Sequence, residues 1–232
     1  MTHIDLLDTP MYSPTMASRL VGLRPERVRR WLRGYEFPVG KGNHRLTKRQ
    51  KPVVHRKKTA GQAYASFLDL VDLLFVKRFL EEGFSLQKLR AALNEAEEVF
   101  EGRRFAHRDF WTDGSRIYLR IKDHPGDLLE LLSGGQWAIR DIILRFATQI
   151  DFAKGSGLAE RWYPMGKNHP VVLDPQIAFG APTVVDRGTQ TDNIYDFFVA
   201  EREDIARTRD WFDLTAKEVR SAVEFERHLV AA

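Results

Sequence analysis

Five arginines, Arg24, Arg27, Arg29, Arg30 and Arg33, crowd one short stretch of this chain. Guanidinium groups carry fixed forks of N–H donors that match phosphate oxygens and the O6/N7 edge of guanine. Val28, Trp31 and Leu32 recur among them at i, i+3, i+4, the spacing of one helical face. A small apolar anchor behind an arginine front is what a DNA-recognition helix requires. A solvated amphipathic helix would carry the same arginines on its wet side.

The flanking residues define the elements that would hold this face. Ser13 is a good N-cap, Pro14 fits the first helical position and Gly22 fits the position just past a helix end. A second helix opens at Pro25 and closes at Gly34. The segment from Glu36 to Gln62 has no helical period. Gly40, Lys41, Gly42 and Asn43 form a turn cluster between two short runs with strand character. Lys41, His44, Arg45, Lys48, Arg49, Lys51, Arg56, Lys57 and Lys58 make the segment basic. The pattern predicts a β-hairpin wing with a mobile tip; a disordered basic linker is the alternative. Either would add salt-sensitive, sequence-independent affinity for phosphate.

Residues 1–60 hold 14 Lys and Arg against 4 Asp and Glu, a net of +10, within a chain whose total is +4. The remainder is therefore −6, which describes a basic arm on an acidic body. With 232 residues, two or three modules are expected. There is no cysteine, which removes disulfides, thiol catalysis and cysteine-ligated zinc together and fits a reducing cytoplasm. No apolar run approaches the length of a membrane span, and MTHIDLLDTP lacks a signal-peptide pattern. A soluble cytoplasmic protein is expected.

Residues 1–12 read as an extended lead-in. Ser66 and Asp69 form a capping-box pattern before FLDLVDLLFVKRFLEEG, whose apolar residues run most of the way round a helix and predict burial on several sides. Ser85 caps another helix, with Leu86, Leu89, Leu93, Ala96 and Phe100 as its stripe. Asp113-Gly114 marks a hairpin within residues 103–122. Ile139, Ile142, Ile143, Phe146 and Ile150 share a helical face that looks structural. Toward the C-terminus, ERWYPMG is strand-like, and Val171–Leu173 and Thr183–Val185 are short β runs. Helices follow over Thr191–Val199, with Thr191 as cap, and over Glu203–Trp211. A last helix follows the T-x-x-E box of Thr215 and Glu218, with Val219, Ala222, Val223 and Leu229 inward.

The order of capped helix, VRRWLRGY recognition helix, basic wing and FLDLVDLLFVKRFLEEGFSLQKLRAAL resembles the winged helix-turn-helix domain of the MerR family over about residues 12–100. That resemblance implies that Arg29 contacts the DNA backbone and that Trp31 anchors the helix. It implies a DNA-facing set of Thr15, Arg24, Arg27, Arg29, Arg30, Arg33 and Tyr35, joined by Lys41, His44, Arg45, Lys48 and Arg49 of the wing. The family's usual Ser or Thr cap is replaced by Arg24. The cysteine ligands of its metal sensors are missing, so metal sensing is not carried over. A second pattern, D-P-x-I-x-x-G-x-P-x-V from Asp174 to Val184 with L-T-x-x-E-V-x-x-A from Leu214 to Ala222, is similar to the domain of unknown function 433. Such domains occur as antitoxins beside PIN-like ribonuclease toxins. Together the two resemble a VapB-type antitoxin, implying operator DNA, a PIN-like ribonuclease toxin and a second copy of the chain as partners. Arg161 and Arg187 would present guanidinium groups to the toxin's metal-holding carboxylates.

No residues point to catalysis, a metal or a cofactor. The seven histidines are scattered without H-x-H or HExxH spacing. The expected fold is α+β, mainly α. Residues 1–102 would form the DNA-binding domain, 103–157 a central hairpin and helix for linkage or dimerisation, and 158–232 a small β-ribbon plus three helices. The function expected is an antitoxin that also represses its own operon. A stand-alone MerR-like regulator with a dimerising or ligand-sensing C-terminal half is the alternative, and a metal-dependent nuclease is third.

Overall fold

The computed structural model describes residues 3–40, 46–54, 64–87, 89, 90, 106, 146 and 148–231. These residues form a mixed α+β structure that is mostly helical, with N-terminal helices and a four-stranded antiparallel sheet followed by further helices. The expected hairpin over 103–122 except Ala106, the tip residues Lys41, His44 and Arg45, and most of the helix after Ser85 lie outside the described residues.

The chain begins with α1 (His3–Asp8). The expected extended lead-in is therefore helical, because Leu7 is fully buried and α1 packs on α4. α2 (Pro14–Val21) is capped by Ser13, whose hydroxyl accepts the Met16 N–H at 3.1 Å. It ends at Gly22, where φ is +67°. α3 (Pro25–Arg33) follows after three residues, with Arg24 at its N-cap and no side-chain bond there. β1 (Tyr35–Val39) and β2 (Leu46–Gln50) pair antiparallel, Tyr35 opposite Gln50 and Val39 opposite Leu46.

α4 (Phe67–Glu81) is the buried spine of this half. Its capping box is complete: Ser66 accepts from Asp69 N–H at 3.1 Å, and the Asp69 carboxylate accepts from Ser66 N–H at 2.8 Å. Phe67, Leu70, Val71, Leu73, Phe75, Val76 and Phe79 are all removed from water, which is why this helix reads as apolar all round. Buried Asp72 accepts the Ala106 N–H at 3.1 Å, so it is not orphaned.

The sheet runs in the order β3-β4-β5-β6, with β3 (Ile150–Phe152), β4 (Ala159–Trp162), β5 (Val171–Leu173) and β6 (Pro182–Val184). The two-stranded ribbon expected at this place, β5 and β6, is thus one side of a larger sheet, with β6 at its edge. Ile150, expected on a helical face with Phe146, instead opens β3 opposite Trp162. Pairing with β4 overrides the local 3.6-residue period there. α5 (Thr191–Ala200), α6 (Ile205–Phe212) and α7 (Ala216–Ala231) close the chain. Thr191 is the first helical residue rather than the cap, a position held by Gln190. Its buried hydroxyl bonds the Glu226 carboxyl of α7, and that tertiary partner takes it away from capping. The Thr215–Glu218 box forms as expected, with Glu218 N–H on the Thr215 hydroxyl at 3.2 Å.

One apolar cluster joins both ends of the sequence. It includes Leu7, Tyr12, Val28, Trp31, Phe75, Trp162, Leu173, Phe225 and Leu229. A second, smaller cluster of Val184, Ile194, Phe198, Leu214, Val219, Ala222 and Val223 holds α5 and α7 together on β6.

Candidate nucleic-acid interface

α3 turns Val28, Trp31 and Leu32 inward, each at most 3% exposed. Burying each aliphatic side chain contributes about 2 kcal/mol. Arg24, Arg27, Arg29, Arg30 and Arg33 are all exposed on the other side, as is Thr15 on α2. The helix ends where the chain after the hairpin folds back: Val53 and Val54 N–H groups donate to the Trp31 carbonyl at 2.8 and 3.1 Å. From α4, the Lys77 ammonium donates to the Val21 carbonyl at 2.9 Å and so covers the end of α2. The arginine face is therefore held from two directions.

Several of its guanidinium groups are positioned by neighbours. Arg27 lies over the Trp31 ring at 5.8 Å, and Arg30 lies over the Tyr35 ring at 5.2 Å. Each such contact stabilises by about 0.5–1 kcal/mol at an exposed site. Arg29 pairs with Glu26 one turn back at 3.6 Å. Tyr35 in turn packs on Phe37 at 5.8 Å between ring centres. Gly34, with φ +75°, makes the sharp step from α3 into β1; a Cβ there would sit 2.2 Å from the Gln50 carbonyl oxygen. Only glycine allows β2 to approach the end of α3 so closely.

The hairpin register sorts its charges. Lys48 stands opposite Phe37, and Arg49 stands opposite Glu36. Side chains alternate along a strand, so Lys48 shares a face with Tyr35 and Phe37, whereas Arg49 lies on the other face beside Glu36. Both are exposed. The basic pattern of the sequence does not distinguish these two faces; the register does.

Arg161 and Arg187 lie elsewhere. Arg161, on β4, donates its Nε–H to the Asp174 carboxylate at 2.8 Å, and Asp174 is 2% exposed. Asp174 also accepts the Gln176 N–H at 2.9 Å. Arg187 follows β6 and reaches Glu218 Oε1 at 3.7 Å and Asp213 Oδ2 at 3.9 Å. Against the upward push of burial, the Thr215 bonds and the Arg187 charge hold the Glu218 carboxyl below its usual range. Both arginines thus have carboxylates of their own chain beside them. Among the described residues, no group of three or more His, Asp or Glu side chains could hold a metal ion. No described helix is long and apolar enough to cross a membrane.

Three features of this half carry no signal in the sequence. The Tyr12 hydroxyl donates to the Gly180 carbonyl at 2.9 Å, across 168 residues, and burial with the nearby Asp174 charge pushes its pKa well up. Glu226 is raised too, first by burial and then by Asp192 and Asp196 against the pull of Thr191 and Arg19. Phe179 is a bulky side chain left 88% exposed.

The chain is 24% identical over 201 residues to a Mycobacterium tuberculosis protein described as "Putative antitoxin VapB45". That alignment covers 81% of this chain and 82% of the relative. The fold is similar to that in the X-ray crystal structure of Rv2018 from Mycobacterium tuberculosis, with a TM-score of 0.69 at 22% identity. The structural match spans 94% of this chain and 99% of that one. No family model matches the chain.

Proposed function

We propose that this chain is the antitoxin of a toxin–antitoxin pair, which binds a PIN-like ribonuclease toxin and represses its own operon. The observation that carries this reading is the likeness to the antitoxin relative, which runs along most of both chains rather than along one module. The exposed arginine face of α3 and the basic β1-β2 hairpin support DNA reading in the manner of a MerR-like winged helix-turn-helix. α3 would enter the major groove with Arg27 and Arg30 near base edges or phosphates, while Lys48 and Arg49 add phosphate contacts. A homodimer would match a two-fold operator. Arg161 and Arg187 are proposed toxin contacts, with spare guanidinium donors beyond those their own carboxylates use. Residues 1–102, 103–157 and 158–232 serve in this proposal as DNA-binding, linking and toxin-binding parts.

Coexpression of the full chain with the product of the neighbouring gene tests it. A small ribonuclease that copurifies in stoichiometric amount, and loses activity in the complex, is the expected result. Purification of the chain alone, with the neighbour's activity unchanged by adding it, would refute the antitoxin reading.

One observation favours a second reading, a stand-alone regulator that senses a ligand. A cleft of about 470 Å³ opens beside Phe198, Ile205, Val223, Arg220 and Arg227. Operator binding that changes with a small molecule, in a chain that retains no nuclease, would support that reading.

A further inference from the structure

The loop between β5 and β6 holds three successive residues with left-handed backbone: Ala178 at φ +47°, Phe179 at +53° and Gly180 at +74°. Glycine adopts this conformation freely; a bulky aromatic residue does so at a cost. Phe179 gains nothing from its own fold in return, since its side chain is 88% exposed. The loop is nonetheless fixed from both ends. Asp174 accepts the Gln176 N–H, the Ile177 N–H reaches the Asp174 carbonyl at 2.9 Å, and the Gly180 N–H reaches the Ile177 carbonyl at 2.9 Å. The buried Tyr12 hydroxyl holds the Gly180 carbonyl, so close that a Cβ on Gly180 would lie 2.2 Å from its oxygen. An unfavourable backbone, rigidly enforced to hold an aromatic ring in water, is the signature of a contact made with something else.

We propose that Phe179 is the anchor that enters an apolar pocket of the toxin, with Arg161 beside the pocket's acidic rim. This rests on the antitoxin reading above. Arg161 is tied to Asp174, the residue at the start of the same loop, and its side chain remains 44% exposed. A loop that carries an aromatic knob, with a guanidinium tied to its first residue Asp174, fits a pocket edged by carboxylates, which a nuclease that holds divalent metal carries. A second copy of this chain is the competing occupant, and the experiment below separates the two.

The test is Phe179→Gly in the full chain, titrated with the neighbouring gene's product. Glycine relaxes at φ +53°, so a merely structural role and a binding role give opposite readouts. The expected result is a Tm equal to or above that of the parent chain, with the toxin Kd weakened about 30-fold or more, the size of a hot-spot aromatic. Phe179→Asn, which also tolerates the left-handed region, is expected to behave alike. A toxin Kd within about threefold of the parent's in both variants would overturn the proposal. So would a Tm several degrees lower in both, because the ring would then be serving the fold. Dissociation of a toxin-free dimer by Phe179→Gly, read by sedimentation velocity, would make the occupant a second copy and overturn it as well. If the parent chain itself does not bind the neighbouring product, the antitoxin reading fails and this assignment falls with it.

Discussion

Tyr12 and Gly180 form a contact whose two halves can be removed separately. Tyr12→Phe removes one buried hydroxyl and leaves the Gly180 carbonyl without its 2.9 Å donor. Such a loss costs about 1–1.5 kcal/mol. Gly180→Ala is worse for two reasons. Its φ of +74° is left-handed, which costs an alanine roughly 1–2 kcal/mol. Its Cβ would also lie 2.2 Å from Tyr12 Oη, 2.8 Å from Met11 Sδ and 3.0 Å from Tyr12 Cζ, overlaps that only displacement can relieve. Overpacking of this kind adds roughly 1–3 kcal/mol. The double variant lacks the oxygen that makes the closest overlap, so the two effects are not additive. Tyr12→Phe/Gly180→Ala is expected to be at least about 1 kcal/mol more stable than the sum of the single changes predicts. Urea unfolding followed by tryptophan fluorescence, with m-values held equal among the four proteins, measures this. Additivity within about 0.3 kcal/mol would refute the close approach of loop and tyrosine on which the reasoning rests.

Neutralising Lys48, on the Tyr35 face of the hairpin, should flatten the salt dependence of operator binding by about one charge. Arg49→Ala, beside Glu36, should change it less; equal effects in a salt titration would contradict the facial assignment. Gly34→Ala should lower Tm and weaken DNA binding together, because its Cβ would push β2 away from α3; an unchanged Tm would count against the close step described there. Glu226 is raised above its unfolded value, so its contribution is fully present below the unfolded pKa and is lost as pH rises through the folded one. Glu226→Gln should therefore stabilise at pH 7 and have little effect near pH 4. A benefit that persists unchanged at pH 4 would show that desolvation of the charge is not the cause.

The local signals in the sequence were legible because each depends on residues a few positions apart. Ser13, Ser66 with Asp69, and Thr215 with Glu218 all cap as their spacing predicts. The 3.6-residue period placed Val28, Trp31 and Leu32 inside, which left the arginines outside. What was illegible was decided by distant partners. Ile150 continues an apparent helical stripe, yet Trp162 draws it into a strand. Thr191 has a cap's chemistry, but Glu226 claims its hydroxyl. α1 is too short to declare itself, and only the seat that Leu7 finds within the core makes it a helix. Phe179 gives no local warning of its left-handed backbone, in a loop held partly by the Tyr12 hydroxyl on the Gly180 carbonyl from the far end of the chain.

The single apolar cluster that joins Leu7, Tyr12 and Val28 to Leu173, Phe225 and Leu229 bears on the order of events at the ribosome. Translation delivers the arginine helix early, but the residues that complete its supporting core emerge nearly 200 positions later. At about 5–20 residues per second, that is an interval of roughly ten to forty seconds. Contacts of such high sequence separation also close slowly once available. The segment with the most concentrated positive charge thus waits unfinished while the acidic remainder is made. A chain stopped before α7 would lack Phe225 and Leu229, and its arginine face would rest on an incomplete core. Completion of synthesis is in this way a condition for a rigid N-terminal half.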